Sequence, residues 1–106
     1  MADKYPRRDP KRPPTHPGAT LREDVLPAIG KTKREVASLL GISRQTLYDI
    51  LNEKQPVTPE MAVRIGKLCG NGPTLWLNLQ SSYDLWHAIR RVDTSKIPTL
   101  AAAASA

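Results

Sequence analysis

The chain has 106 residues, 40% hydrophobic and 5% aromatic with no Phe, which leaves room for one domain with a core mainly of Leu, Val, Ile and Ala. Sixteen Lys and Arg against ten acids give a net charge of +6, which suits an anionic partner such as nucleic acid but also fits a protein that is merely basic. A single cysteine, Cys69, excludes an internal disulfide framework, no apolar run approaches the ~20 residues of a membrane span, and the polar, proline-rich start lacks an export signal, so a cytoplasmic location is expected.

Residues 1–14 place Lys4, Arg7, Arg8, Lys11 and Arg12 among four prolines. Proline interrupts helices and the stretch has no apolar period, so an extended basic arm is expected. Such an arm either follows a DNA backbone or enters a minor groove, or it is a solvated tail. The first helix is expected from about Pro17 to Leu26, capped by Thr15 or His16, with Pro17 at the first helical position. Leu21 and Val25 would face inward, and Pro27 with Gly30 would close it. Thr32 and Glu35 have the spacing of a capping box, in which two otherwise unpaired amide donors are satisfied reciprocally. The second helix continues through Val36, Leu39 and Leu40 and ends at Gly41, the residue type that accepts a left-handed backbone.

Ser43 caps a third helix in which Leu47, Ile50 and Leu51 form a buried stripe. Thr58-Pro59-Glu60 opens a fourth, with Met61, Ile65 and Leu68 inward. After the break at Gly70-Asn71-Gly72, Pro73 starts a fifth helix reaching about Arg91, and residues 93–106 read as a frayed tail. No segment alternates with a two-residue period, so residues 15–92 are expected to form an all-α domain.

The stretch 33–52, KREVASLLGISRQTLYDILN, carries the function. Two helices meet at the three-residue turn Gly41-Ile42-Ser43, with Ala37 small where they approach and Ile42 filling the corner. Val36, Leu40, Leu47 and Ile50 supply a shared core. Burying that face turns Arg44, Gln45, Tyr48, Asp49 and Asn52 outward, with Ser43 and Thr46 at the leading end. In a helix-turn-helix the second helix enters the DNA major groove by its first turns. Arg44 can chelate guanine and Gln45 can pair with adenine, so Ser43, Arg44, Gln45, Thr46, Tyr48 and Asp49 are the base-reading candidates. Lys31, Thr32, Lys33, Arg34, Asn52 and Lys54 are the phosphate candidates. The competing reading is a helical hairpin with a solvated polar face. Asp49 either accepts from a cytosine amine, pairs with Arg44, or lies outside the footprint.

His16, Cys69 and His87 show no metal-ligand spacing, and no acid pair, nucleophile elbow or glycine-rich phosphate loop is present, so neither a cofactor nor an enzyme is expected. His16 reads as a cap, His87 as a surface residue and Cys69 as a half-buried small apolar group.

Several blocks extend beyond the turn: Arg12-Pro13-Pro14-Thr15-His16-Pro17-Gly18, Leu21-Arg22-Glu23-Asp24, Gly41-Ile42-Ser43-Arg44-Gln45-Thr46 and Thr58-Pro59-Glu60-Met61-Ala62. Leu75-Trp76-Leu77-Asn78-Leu79-Gln80 and Tyr83-Asp84-Leu85-Trp86 follow. With these the chain resembles the HigA-type antitoxins, a branch of the Xre/Cro-like helix-turn-helix repressors. The resemblance implies a five-helix, lambda-repressor-like domain with a longer C-terminal helix. It also implies a homodimer that binds double-stranded DNA, represses its own operon and neutralises a HigB-type ribonuclease toxin. A stand-alone or phage-type repressor is the alternative. Two positions depart from the pattern: Lys33 stands where many relatives carry a phosphate-clamping Gln, and Glu53 replaces the glycine often found after the recognition helix.

In the fifth helix Leu75, Leu79, Tyr83 and Trp86 fall near one face with Trp76 beside them. Ile89 lies one turn on. Part of this face is expected to pack on the first helix and the remainder, drawn from these five, to form a two-fold interface; the alternative is that all are core residues of one monomer. A two-fold dimer sets its recognition helices about 34 Å apart and requires an inverted-repeat operator. The acids Glu23 and Asp24 are a candidate surface for a basic toxin.

Overall fold

The computed structural model describes residues 12–100, and across them the chain is helical throughout, in five helices. The expected arm up to Lys11 and the tail from Ala101 lie outside the described residues. Packing already includes Pro14, which is buried.

Helix α1 covers 17–29 and starts as the sequence suggests: the His16 Nδ1 accepts from the Gly18 N–H at 2.9 Å. It does not stop at Leu26. An α turn, Pro17–Thr20, passes through a π turn, Leu21–Val25, into a second α turn, Leu26–Ile29, and Gly30 closes it. Pro27 lacks an N–H and its ring crowds the carbonyl four residues back. The widened turn just before it, where the Leu26 N–H reaches the Leu21 carbonyl, makes room for the ring, so the helix survives its proline. The same turn shifts the inward face by one residue. Leu21 and Leu26 are buried and Val25 only half so, against the expected Leu21–Val25 pair.

Helix α2 is Lys33–Leu40, α3 is Arg44–Leu51, α4 is Pro59–Cys69 and α5 is Pro73–Arg91. Thr32, Ser43 and Thr58 cap α2, α3 and α4 through their side-chain oxygens, and the capping box between Thr32 and Glu35 is present. The core gathers Leu21, Val36, Ala37, Leu40, Leu47, Ile50, Leu51, Val57, Met61, Ala62, Ile65 and Trp76. Leu68 packs on its edge, whereas Leu39 is 57% exposed. Helix α1 meets the end of α3 at Gly18, where any side-chain carbon would collide with the Ile50 carbonyl oxygen.

Helix α5 is anchored by its first half. Trp76 is 1% exposed, and its Nε1 donates to Asn71 Oδ1 at 2.9 Å. Gln80 is also buried: its Oε1 accepts from the Val57 N–H at 2.8 Å, and its Nε2 donates to Asp84 at 2.9 Å. Trp76 is therefore a core residue of its own protomer, which removes it from the expected dimer surface. A large indole fits there because its one polar atom finds a partner in the Gly70–Gly72 loop. His87 also departs from expectation. It is half-buried against the Tyr83 and Trp86 rings, and its enclosed Nε2 finds no hydrogen-bond partner among the described residues, so it is not the freely exposed residue expected.

Candidate nucleic-acid interface

The site is built around the turn between α2 and α3. Gly41 sits at φ 73°, where its N–H closes onto the Ser38 and Ala37 carbonyls, and a larger residue would be strained there. Ile42 is half-buried in the corner and its N–H reaches the Ala37 carbonyl at 3.0 Å. Two arginines brace the helix pair from outside. Arg64 of α4 donates to the Leu40 carbonyl at 2.8 Å, at the end of α2. Arg22 of α1 donates to the Leu51 carbonyl at 2.6 Å, at the end of α3. Each cation meets carbonyls that a helix end leaves unpaired, at the negative pole of its dipole. Sequence reasoning missed both, because the contacts span 24 and 29 residues.

Arg22 also pairs with Glu23 at 2.7 Å and Glu53 at 3.5 Å, and chiefly its hydrogen bond to Glu23 raises its already high pKa. Glu53 holds φ 62°, the left-handed region a glycine would favour, at the turn after α3.

Arg44 and Gln45 stand exposed at the first turn of α3, and among the described residues the Arg44 side chain makes no hydrogen bond or ion pair. Tyr48 is 39% exposed, with Lys33 Nζ from α2 set 5.5 Å from its ring centroid. Other predicted readers have different positions. The Ser43 oxygen accepts from the Thr46 N–H at 3.0 Å and its hydrogen goes to Thr46 Oγ1 at 2.9 Å, so Ser43 is a cap rather than a reader. Asp49 is half-buried and accepts from Gln45 Nε2 at 2.8 Å. Its partner is thus Gln45 and not Arg44: residues four apart on a helix lie one above the other, whereas residues five apart do not.

Of the phosphate candidates, Lys31, Lys33, Arg34, Asn52 and Lys54 are exposed. Lys31 and Arg34 border a shallow depression with Glu35, Ser38 and Leu39, while Lys33 alone reaches the Tyr48 ring. Thr32 is withdrawn from this set, since its amide and hydroxyl both donate to Glu35 Oε1 at 3.0 Å. Those two bonds, the backbone one foremost, lower the Glu35 pKa and keep a carboxylate at the start of α2.

On α5 the remaining interface candidates divide. Leu75 is exposed, and Leu79, Tyr83 and Trp86 are half-buried. Tyr83 packs edge-on against His16 at 4.8 Å, and Arg90 stacks 3.5 Å from the Trp86 ring. Beyond them Leu85, Ile89 and Val92 are 61%, 64% and 50% exposed, a stripe in which sequence reading finds Ile89 but not Leu85 or Val92. Among the described residues no three His, Cys, Asp or Glu side chains gather as a metal site would need, and no helix is long and apolar enough to cross a membrane.

Comparison with known proteins gives the same architecture. A helix-turn-helix family model, HTH_3, matches residues 21–77. An HTH-type transcriptional regulator of Haemophilus influenzae is 37% identical over 75 residues, 71% of this chain and 70% of its own. Antitoxin HigA-1 of Vibrio cholerae is 32% identical over 84 residues, 79% of each chain. The Pseudomonas aeruginosa antitoxin HigA, solved with the higBA promoter, superposes with a TM-score of 0.71 at 30% identity, covering 82% of this chain and 99% of that one.

Proposed function

The chain belongs to the Xre-like helix-turn-helix family, with HigA antitoxins among its relatives, and from that premise we propose that it is a sequence-specific DNA-binding antitoxin that represses its own operon and neutralises a HigB-type ribonuclease toxin. The observation that carries this reading is the exposed pair Arg44 and Gln45 at the first turn of α3, with Lys33 and Lys54 flanking it. Arg44 matches the two acceptors of guanine, and Gln45 matches the donor and acceptor of adenine. Thr46 and Tyr48 complete the base-facing surface. Lys31, Lys33, Arg34, Asn52 and Lys54 supply phosphate contacts that set register without reading sequence.

The protein acts as a two-fold dimer, which an inverted-repeat operator matches. Leu75, Leu79, Tyr83 and Trp86 belong to its interface, extended by Leu85 and Ile89: Leu75, Leu85 and Ile89 are exposed apolar side chains that association would cover, and the half-buried Leu79, Tyr83 and Trp86 border them. Its role is binding, and no side chain is assigned to catalysis.

The test is a mobility-shift titration on the DNA upstream of the gene. Arg44→Ala lowers affinity for the operator about tenfold or more and relaxes preference at one base pair. Lys33→Ala weakens binding to every sequence and reduces the salt dependence by about one phosphate contact. Unchanged affinity in both variants overturns the DNA docking. Co-purification with the product of the neighbouring gene tests the toxin partner, and its absence leaves a stand-alone repressor.

A further inference from the structure

Gln45 does not stand alone on α3. Its Nε2 donates one hydrogen to Asp49 Oδ1 at 2.8 Å, one helical turn along on the same face. An amide side chain has two donor hydrogens and one carbonyl acceptor, and free rotation lets it present either kind of edge. With one hydrogen held by Asp49, the amide keeps one N–H and the carbonyl oxygen for a base. That remaining pair complements adenine, whose N7 accepts and whose N6 donates, and does not complement guanine, whose N7 and O6 both accept.

Resting on the DNA-binding reading above, we infer that Asp49 is a positioning residue that orients the Gln45 amide so that it selects adenine over guanine. This explains a carboxylate on a face otherwise suited to phosphates and base edges. Asp49 is half-buried, Gln45 occupies one of its oxygens, and the Lys54 and Gln55 amides fold back onto its own carbonyl at 2.8 and 3.2 Å. Its backbone is thereby tied to the turn after α3, and its side chain has a fixed base from which to hold the amide. The charge opposes phosphates in general, so the residue exchanges affinity for discrimination.

The inference separates affinity from sequence preference, and a binding selection reads both. The full chain and its Asp49→Ala, Asp49→Asn and Gln45→Ala variants each select from a random-sequence duplex pool, and the bound duplexes are sequenced. The wild type selects adenine over guanine by about tenfold or more at one position per half-site, and Gln45→Ala removes that preference. Asp49→Ala binds DNA more tightly overall, yet accepts adenine and guanine there within about threefold. Asp49→Asn keeps an acceptor oxygen and loses the charge, so it retains the adenine preference with the higher affinity. A role confined to charge predicts that the Ala and Asn variants behave alike, and that result overturns the inference. An adenine preference untouched by Asp49→Ala, or one that Gln45→Ala does not remove, overturns it as well. If the wild type shows no sequence preference at all, the DNA-binding reading falls with it.

Discussion

The α2–α3 pair and helix α5 handle their apolar residues differently. In the pair, Val36, Ala37, Leu40, Leu47, Ile50 and Leu51 are enclosed by their own protomer, and Leu39 is the large aliphatic side chain left outside. Along α5 the enclosure stops midway: Trp76 and Gln80 are buried, while Leu85 and Ile89 are more than 60% exposed. The helix-turn-helix is therefore complete within one chain, with its polar face available for a ligand. The second half of α5 has an apolar face that is exposed among the described residues, which supports placing the association surface there.

The sharpest way to break that division is to remove the anchor. Trp76→Ala should cost about 3–5 kcal/mol of stability, read by urea denaturation, because a packed indole and its bond to Asn71 are both lost. A cost near that of a surface substitution would mean that α5 is not anchored by its first half. The paired change Leu85→Glu with Ile89→Glu should leave the helical circular dichroism intact and shift sedimentation from dimer to monomer at micromolar concentration. Loss of the helical signal would show that these residues belong to the core instead.

The helix-turn-helix side is tested by its braces. Arg64→Met keeps the aliphatic stem and removes the donor to the Leu40 carbonyl, at a cost of about 1–2 kcal/mol. The matching change on α5, Arg90→Met, removes an exposed cation from the Trp86 ring and a donor from the Trp86 carbonyl, and should cost less, about 0.5–1 kcal/mol.

The smallest expected effect is the pH response of His16, which caps α1 and packs on Tyr83 of α5. Burial, the largest cause, lowers its pKa below the ordinary 6.5, because the charged ring would be desolvated and its Nδ1 could no longer accept from Gly18. The unfolded chain then binds the proton more readily than the folded one. The stabilisation is thus present in full above about pH 6.5 and declines as pH falls toward the lowered value. Denaturation midpoints should drop between pH 7.5 and 5.5 in the wild type and flatten in His16→Asn, which retains a capping oxygen. A midpoint equally sensitive in both proteins would assign the pH response to another group.

Much of the architecture was legible in the residues, and where it was not the reason is specific. Thr32, Gly41, Ser43, Thr58 and Pro73 mark helix ends by chemistry acting within four residues, so those boundaries could be read in order along the chain. Pro27 misled, because proline ends a helix only where the turn before it cannot widen. In sequence Ser43 and Thr32 fit DNA contacts, because an exposed hydroxyl does not show which neighbour its hydrogen reaches. In sequence Trp76 fits an interface as well as a core, because a helical stripe specifies a face and not what lies against it.

By itself the chain determined an all-α domain, the position of its sharp turn and the polar residues that α3 presents, since capping, helical period and backbone permissiveness are local properties. Only the tertiary structure decided that Arg22 and Arg64 close the ends of α3 and α2, that Trp76 is core, and that Gln45 is held by Asp49. Those outcomes depend on side chains far apart in sequence, or free to choose among rotamers, competing for the same few polar atoms and the same limited interior.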